Sequence, residues 1–193
     1  MIDREQELDL VNRARRGEVE AFMTLIKTYQ VPIYRLVYRM TGNREDTADL
    51  MQETMLKAYT GLKNFKARSG FNTWLYRIAV NETLNFLQRS GRERGKMEYL
   101  DEINTSDSSL AVTASPEETL MGEEFRTRLE QALAELPADY KLAFTLVVFQ
   151  GLSHSEAAEV LGCSEGTVSW KIHEARKMLR EKMRPYLERT REV

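Results

Sequence analysis

Cysteine, proline and long apolar runs are scarce in this chain of 193 residues, which has one Cys and four Pro. A single cysteine, Cys163, leaves no partner for an internal disulfide and fits a reducing compartment. No apolar run approaches about 18 residues, so no membrane-spanning helix is expected. The N-terminal residues are charged from Asp3 onward, unlike a secretory signal peptide. These absences predict a cytoplasmic protein that does not insert into a membrane.

The sequence also lacks the patterns that enzymes use. It contains no glycine-rich phosphate loop and no nucleophile with a base at motif spacing. Cys163, His154 and His173 lie near one another along the chain, but their spacing matches no common zinc site. We therefore expect no catalytic residues, no metal and no cofactor.

The net charge of −2 looks low for a protein that binds nucleic acid, but the charges are unevenly distributed. Residues 1–95 contain 16 Lys and Arg against 12 Asp and Glu, and residues 123–193 contain 11 against 12. Residues 96–122 contain one Lys or Arg against six Asp and Glu, so the middle of the chain is its acidic part. The acidic segment is either a solvated tether or a strand that occupies a basic channel of a partner.

The same middle segment has the composition of a linker. It is rich in Ser, Asp, Asn and Thr and has no sustained apolar period. We predict a domain over 1–95, a flexible linker over 96–114 and a second domain over 115–193.

The clearest pattern runs from Ser153 to Leu179 and predicts two helices joined by a tight turn. Ser153 and Glu156 have the spacing of a capping box at the start of the first helix. Gly162 tolerates the positive φ of a helix end, and Ser164 is placed to cap the second helix. A helix pair with a short glycine-containing turn is typical of a helix-turn-helix.

The second helix of this pair has one narrow apolar stripe at helical spacing, formed by Val168, Ile172, Ala175 and Leu179. Its outer face is then polar and basic, with Ser169, Trp170, His173, Lys177 and Arg180 outward and Lys171 and Arg176 at the flanks. An exposed Trp among basic and hydroxyl side chains is suited to binding in the major groove of DNA. An ordinary helical hairpin with a solvated outer face is the alternative.

The N-terminal half predicts four helices. The first covers about Arg4 to Arg16, and the second begins near Glu18, is kinked or divided at Pro32 and ends at Gly42. The third is capped by Asn43 and is expected to bury Ala48, Met51, Met55, Ala58 and Leu62. Its opposite side is a mostly acidic edge made of Asp46, Asp49, Gln52, Glu53 and Lys57.

A basic loop that ends in Phe71 leads into the fourth helix, predicted from about Asn72 to Arg89. Between two apolar walls this helix carries a polar stripe of Trp74, Arg77, Asn81, Asn85 and Gln88. Amides can donate and accept at one base edge, aromatic rings stack on unstacked bases, and arginines hold phosphates. The stripe suits single-stranded or locally opened DNA, and a polar window that meets only solvent is the alternative.

The C-terminal half begins a helix at Ser115 and Pro116, a capping serine followed by a proline at the first helical position. A second, apolar helix is predicted from Asp139 to Phe149. The last helix is expected to break near Pro185, because proline lacks the backbone N–H. The predicted fold class is all-α: two small helical domains joined by a flexible acidic linker, the C-terminal one containing the helix-turn-helix.

Three segments resemble the extracytoplasmic-function sigma factors of bacterial RNA polymerase. They are DLMQETMLKAYTGLKNF from Asp49, FNTWLYRIAVNETLNFLQR from Phe71, and LPADYKLAFTLVVFQGLSHSEAAEVLGCSEGTVSWKIHEARKML from Leu136. They occur in the family's order and at its spacing, and the resemblance covers nearly the whole chain outside the linker. The long region-three domain of larger sigma factors is missing between them.

The resemblance implies a subunit that directs core polymerase to promoters and has no chemistry of its own. It implies docking on core polymerase through Asp46, Asp49, Gln52 and Glu53. It implies binding of a locally single-stranded minus-ten element through Lys66, Arg68, Phe71, Trp74, Arg77, Asn81 and Asn85. It implies binding of a duplex minus-thirty-five element through Ser164, Thr167, Ser169, Trp170, Lys171, His173, Arg176 and Lys177. It also implies an anti-sigma factor as a partner.

The recognition helix departs from the family at Ser169, Trp170 and Lys171, where relatives commonly carry arginines, and at Glu174, where a base is frequent. Fewer phosphate contacts predict a smaller salt dependence of DNA binding. The alternative function is a stand-alone helix-turn-helix regulator that binds a palindromic duplex operator without polymerase.

Overall fold

The computed structural model describes residues 3–67, 69–94 and 116–189. Its α-helices are α1 (Arg4–Arg15), α2 (Val19–Thr41), α3 (Arg44–Gly61), α4 (Phe71–Arg94), α5 (Pro116–Ala134), α6 (Ala138–Phe144), α7 (His154–Leu161) and α8 (Glu165–Arg189). A 3₁₀ turn, Leu62–Asn64, follows α3, and a π-helical turn, Thr145–Phe149, follows α6. These ranges contain no strand, and the predicted all-α class is confirmed. Arg68, the predicted linker 96–114 and the predicted cap Ser115 lie outside the described residues.

Several helix ends are fixed by the side chains that the sequence predicts. Asn43 Oδ1 accepts hydrogen bonds from the backbone N–H groups of Glu45 and Asp46, at 2.8 and 3.0 Å. These bonds satisfy two of the amides that a helix start leaves without a partner inside the helix. Gly42 ends α2 in the left-handed region, with φ of 68°, where glycine carries no Cβ penalty.

Two prolines lie inside continuous helices. Helix α2 runs through Pro32 without division, and α8 runs through Pro185 to Arg189, so the predicted break at Pro185 is wrong. Each proline removes one N–H donor, but the residues beside it are held by packing. Ile33 is fully buried after Pro32, and Met183 is buried before Pro185. Packing of the apolar face outweighs the lost bond, since tertiary contacts supply most helix stability in proteins.

The N-terminal helices enclose a core in which α4 packs on both α2 and α3. Its centre is made of side chains with no exposed surface: Leu25, Ile33, Leu36 and Leu75. Helix α3 buries only part of the predicted face: Ala58 and Leu62 are buried as predicted, but Ala48 is exposed and Met51 and Met55 are only half-buried. The face that is buried carries Thr47, Leu50, Thr54, Ala58 and, just beyond the helix, Leu62.

A satisfied hydroxyl explains part of this shift. Thr47 Oγ1 donates to the carbonyl of Asn43 at 2.5 Å and lies 2.9 Å from Thr41 Oγ1. A threonine whose hydroxyl is hydrogen-bonded can be buried at little cost in free energy. A prediction that counts only apolar residues therefore misplaces part of the buried face of α3.

The helix-turn-helix packs against the N-terminal helices. Val168 and Ile172 of α8 and Ala157 of α7 belong to the same apolar cluster as Leu75 and Val80 of α4. A second cluster joins α5, α6 and the C-terminal part of α8 through Leu133, Phe144 and Leu179, among others. The first cluster therefore spans both halves of the chain and places α4 against α7.

Candidate nucleic-acid interface

The turn of the helix-turn-helix has the predicted chemistry. Ser153 Oγ accepts from the N–H of Glu156 at 3.2 Å, and the Glu156 carboxylate accepts from the N–H of Ser153 at 2.9 Å. Gly162 has φ of 64° at the end of α7. Ser164 Oγ then accepts from the N–H of Thr167 at 3.1 Å and lies 2.8 Å from the Thr167 hydroxyl. These bonds fix where α8 begins.

The two faces of α8 lie as its period predicts. Its inner stripe of Val168, Ile172, Ala175 and Leu179 is buried. Its outer face exposes the side chains of Ser169, Trp170, His173, Arg176, Lys177 and Arg180. Trp170 is 53% exposed, which is unusual for so large an apolar ring. The outer face therefore offers one large ring among hydroxyl and cationic groups.

Three adjacent residues on α8 have partners that sequence reasoning missed. Ser169 lies beside His154 of α7, Trp170 beside Tyr140 of α6, and Lys171 beside Asp139 of α6. Because these partners lie 15 to 32 positions away in the sequence, no local pattern could have indicated them. Lys171 is consequently mostly covered and ion-paired, unlike Arg176 and Lys177 of the same helix, which are exposed.

The acidic edge of α3 is largely exposed. Asp49, Gln52 and Glu53 are exposed and Asp46 is half-buried. Lys57, on the same edge, lies 4.0 Å from Glu53 and 2.5 Å from Glu82 of α4. Because this lysine is tied to α4, the outward charge of the edge is mainly negative.

Phe71, which follows the loop, lies in the core. The resemblance implies that Phe71 contacts DNA, but its side chain is only 2% exposed. Its ring contacts those of Tyr29, Phe65 and Trp74, with centroid distances of 5.9, 6.2 and 5.6 Å. Burial among aromatic rings removes more apolar surface from water than an exposed position does, so the ring supports the loop from inside.

A cleft of about 420 Å³ lies between this loop and α1. Its lining includes Leu8 and Val11 from α1 and Phe65, Ser69 and Gly70 from the loop. Lys66, in the same loop, is exposed. The cleft combines an apolar wall with polar loop atoms and with the charged side chains of Arg4 and Glu7.

The polar stripe of α4 is partly covered by α7. Asn81 and Asn85 are exposed and Trp74 is half-buried. The guanidinium of Arg77 donates two hydrogen bonds to the carbonyl oxygen of Glu159, at 3.0 Å from Nε and 2.7 Å from Nη2. In this arrangement the guanidinium is therefore engaged by the first helix of the helix-turn-helix.

Further polar contacts join the two halves of the chain. Tyr76 donates its hydroxyl to Gln150 Oε1 at 3.1 Å, and burial raises the pKa of Tyr76 to about 12. The Arg39 guanidinium lies 4.1 Å from the centre of the Phe149 ring, and burial lowers the pKa of Arg39. A cation over an aromatic face is attracted to it, so these contacts supplement the shared apolar cluster.

Across the described ranges, no group of three or more His, Cys, Asp or Glu side chains is placed to hold a metal ion. Cys163 is a half-buried free thiol in the turn between α7 and α8. Among the helices that the structure describes, none is both long and apolar enough to cross a bilayer. The exposed surfaces of α8, α4 and α3 thus remain the candidate sites.

Two family descriptions match separate parts of the chain. Residues 25–93 match Sigma-70 region 2, and residues 126–179 match Sigma-70, region 4. The chain is 36% identical over 190 residues to the RNA polymerase sigma-H factor of Pseudomonas aeruginosa, covering 97% of this chain and 98% of that protein. It is 36% identical over 184 residues to the ECF RNA polymerase sigma-E factor of Escherichia coli K12, covering 93% and 95%.

Two solved structures share the fold. CnrH in complex with the cytosolic domain of CnrY gives a TM-score of 0.68 at 22% identity, covering 93% of this chain and 98% of that chain. The sigma factor RpoE in complex with the anti-sigma factor NepR, from Bartonella quintana, gives a TM-score of 0.70 at 22% identity. The match covers 84% of this chain and 96% of that chain. With a matched region 2, a matched region 4 and relatives aligned over almost their whole length, this chain belongs to the extracytoplasmic-function sigma factors of bacterial RNA polymerase.

Proposed function

We propose that this protein binds core RNA polymerase in the cytoplasm and directs it to promoters that carry two separated recognition elements. The polymerase performs the chemistry, and the chain contributes sequence preference. In this proposal residues 1–95 form the region-two domain, 115–193 form the region-four domain, and 96–114 connect them. The observation that carries it is the exposed, polar and basic outer face of α8, which begins at a capped turn and includes Trp170.

The outer face of α8 binds the upstream, minus-thirty-five element as duplex DNA. Residues in the first half of a recognition helix meet base edges, while cations farther along meet phosphates. Trp170 is 53% exposed in the first half of α8. The exposed basic residues Arg176 and Lys177 lie one to two turns further along α8. Their side chains contact the DNA phosphates.

The loop after α3 and the stripe of α4 bind the minus-ten element as opened DNA. Asn81 and Asn85 are exposed amides one turn apart, so they can meet successive groups of one strand. The cleft beside the loop has room for an unstacked base, and Lys66 is free to approach a phosphate. Phe71 acts here by supporting the loop, since its ring is buried.

The acidic edge of α3 docks on a basic surface of core polymerase. Asp49 and Glu53 lie one turn apart and are exposed, which suits electrostatic attraction to a cationic partner. Gln52 and Asp46 extend the same edge.

Release of α4 from α7 accompanies the assembly. The Glu159 carbonyl engages Nε and Nη2 of Arg77, and breaking these two bonds frees the whole guanidinium fork for a phosphate. We propose that polymerase separates the two DNA-binding units, and that an anti-sigma factor holds them away from polymerase. The structure of Bartonella quintana RpoE with NepR, which shares the fold, supports an inhibitor of that kind.

Binding measurements with and without core polymerase test this function. The chain is expected to co-elute with core polymerase and to bind promoter duplex tightly only in that complex, because each DNA-binding surface is weak alone and gains from being linked. A stand-alone regulator would bind the duplex equally well without polymerase and would protect a palindrome. Tight polymerase-independent binding together with no co-elution would reject the proposal.

A further inference from the structure

Three consecutive residues on the outer part of α8 are held by neighbouring helices. Ser169 Oγ lies 3.2 Å from Nδ1 of His154 on α7. The Trp170 and Tyr140 rings have centroids 5.6 Å apart and planes at 55°. Lys171 Nζ lies 3.1 Å from Asp139 Oδ2 on α6. Because the three residues are consecutive, these contacts together fix the first exposed turn of α8 against α6 and α7.

Trp170 combines exposure with a fixed orientation. Its side chain is 53% exposed, and its other surface faces the Tyr140 ring. Tyr140 is half-buried and packs against the core cluster of α5, α6 and α8. An aromatic ring that rests on an anchored neighbour loses fewer conformations when it binds, which favours affinity and orientation. The indole therefore presents a pre-arranged apolar surface to whatever α8 meets.

Lys171 differs from Arg176 and Lys177, the next two cations along this helix. Its side chain is 20% exposed and is paired across to α6. Arg176 and Lys177 are exposed, and neither forms an ion pair with another residue that the structure describes. The ammonium of Lys171 therefore ties α8 to α6, and it is a poor candidate for a phosphate contact.

We propose that the indole of Trp170 contacts the 5-methyl group of a thymine in the upstream element and that Tyr140 is the positioning residue for that contact. Thymine is the one natural base that presents an apolar group at the major-groove edge. An indole cannot accept a hydrogen bond, so an apolar contact is the main readout open to its ring face. In the same arrangement the Lys171–Asp139 pair orients α8 and does not bind DNA. This inference rests on the proposed function and specifies the chemistry of its upstream site.

Uracil scanning tests the methyl contact. The probe is a promoter duplex on which the reconstituted holoenzyme initiates, with each thymine of the upstream element replaced in turn by deoxyuridine. This change removes the methyl group and retains the O4 acceptor, so a hydrogen bond from the indole N–H would survive it. One position is expected to weaken wild-type binding by about threefold to fivefold, the amount that one buried methyl supplies.

The variant Trp170→Ala makes the scan specific. Its holoenzyme is expected to bind thymine and uracil duplexes equally at that position. If no thymine shows a penalty in the wild type, or if the penalty persists in Trp170→Ala, the methyl contact is rejected.

Tyr140 is tested by two matched variants. Tyr140→Phe keeps the ring and is expected to keep the full uracil penalty. Tyr140→Leu fills the core with an apolar side chain but offers no ring, and it is expected to lose most of the penalty while still initiating on the thymine promoter. Because a merely structural role would lower binding to both duplexes by the same factor, a full penalty in Tyr140→Leu would reject the positioning role.

The salt dependence of binding tests the assignment of Lys171. The double variant Asp139→Asn, Lys171→Gln removes the ion pair without changing the net charge, and the slope of log affinity against log salt is expected to stay at the wild-type value. Lys177→Gln, an exposed cation on the same helix, is expected to lower that slope by about one phosphate contact. If the slope falls as much in the double variant as in Lys177→Gln, Lys171 contacts a phosphate and the assignment is rejected.

Failure of this inference is distinguishable from failure of the proposed function. A holoenzyme that initiates at the promoter and ignores uracil at every position rejects only the thymine contact. A chain that neither joins core polymerase nor directs initiation rejects the function itself.

Discussion

At the residue scale, single polar side chains determine where helices begin. Asn43 bonds two backbone amides at the start of α3, and Ser153 and Glu156 bond each other's backbone at the start of α7. The pKa of Glu156 is lowered, chiefly by the backbone N–H of Ser153. Such bonds connect residues two or three positions apart, which is why the sequence predicted them.

The cap on α3 can be tested by stability measurements. Asn43→Ala removes the acceptor for two amides, and we expect the free energy of unfolding to fall by about 1 kcal/mol, measured by urea denaturation. Asn43→Asp keeps an acceptor at the same place and is expected to unfold near the wild-type midpoint. Equal midpoints for Asn43→Ala and the wild type would show that the cap contributes nothing.

Asn81 can be tested in transcription. Its amide is exposed on the stripe of α4, so Asn81→Ala is expected to lower initiation at the cognate promoter about fivefold or more, as the loss of a base-edge contact does. Binding to core polymerase should not change. The control is Gln131→Ala, which removes an exposed amide from α5. If Asn81→Ala initiates transcription at the wild-type level, Asn81 does not make the proposed DNA contact.

At the scale of whole helices, each helix has one face that local periodicity predicts and another that its neighbours determine. The stripe of α8 from Val168 to Leu179 is buried as its spacing indicates. The buried face of α3 is rotated from the prediction, because Thr47 and Thr54 replace Met51 and Met55 at the centre. Threonine counts as polar in a sequence pattern, but its methyl group packs well. The Thr47 hydroxyl bonds the Asn43 carbonyl, whereas the buried Thr54 hydroxyl has no hydrogen-bond partner among the described residues.

The candidate site was predictable only in part, for the same reason. The exposed faces of α8 and of the acidic edge of α3 follow from the helical period. The contact of the Phe71 ring with Tyr29 depends on how α4 packs against α2, and the bonds of Arg77 depend on α7, 82 positions away along the chain. Contacts between distant segments leave no local pattern, so the sequence could not predict them.

Charge reversal on α3 tests polymerase docking. The double variant Asp49→Lys, Glu53→Lys is expected to weaken binding to core polymerase by on the order of tenfold at low salt, and by less at high salt, because salt screens exposed charges. Glu5→Lys, Glu20→Lys is the control, since both acids are exposed on other helices. Equal affinities of both double variants for core polymerase in a binding titration would reject the acidic edge of α3 as the docking site.

At the scale of the whole molecule, the two DNA-binding units share one apolar cluster in this arrangement. Helix α4 packs on α7, Tyr76 bonds Gln150, and Arg39 lies over Phe149. The arrangement is compact but engages Nε and Nη2 of Arg77, an exposed group that the proposed function requires. Stability of the free chain and access to opened DNA therefore oppose each other.

Phe149→Ala tests this opposition. Loss of the ring removes the cation–π contact with Arg39, and we expect a larger radius of gyration in solution scattering and tighter binding to core polymerase. Val148→Ala is the matched control, because Val148 is the neighbouring exposed apolar residue, at 43% exposure. An unchanged radius and unchanged affinity in Phe149→Ala would show that this contact does not hold the units together.

Run-off transcription over a genomic fragment library tests the central claim most directly. Core polymerase with this chain is expected to start at new sites that share an upstream and a downstream element at constant separation, and core polymerase alone should not use them. Trp170→Ala should lose the upstream preference while keeping the downstream one. If core polymerase neither binds the chain nor starts at any new site in its presence, the account of this protein as a promoter-specificity subunit is contradicted.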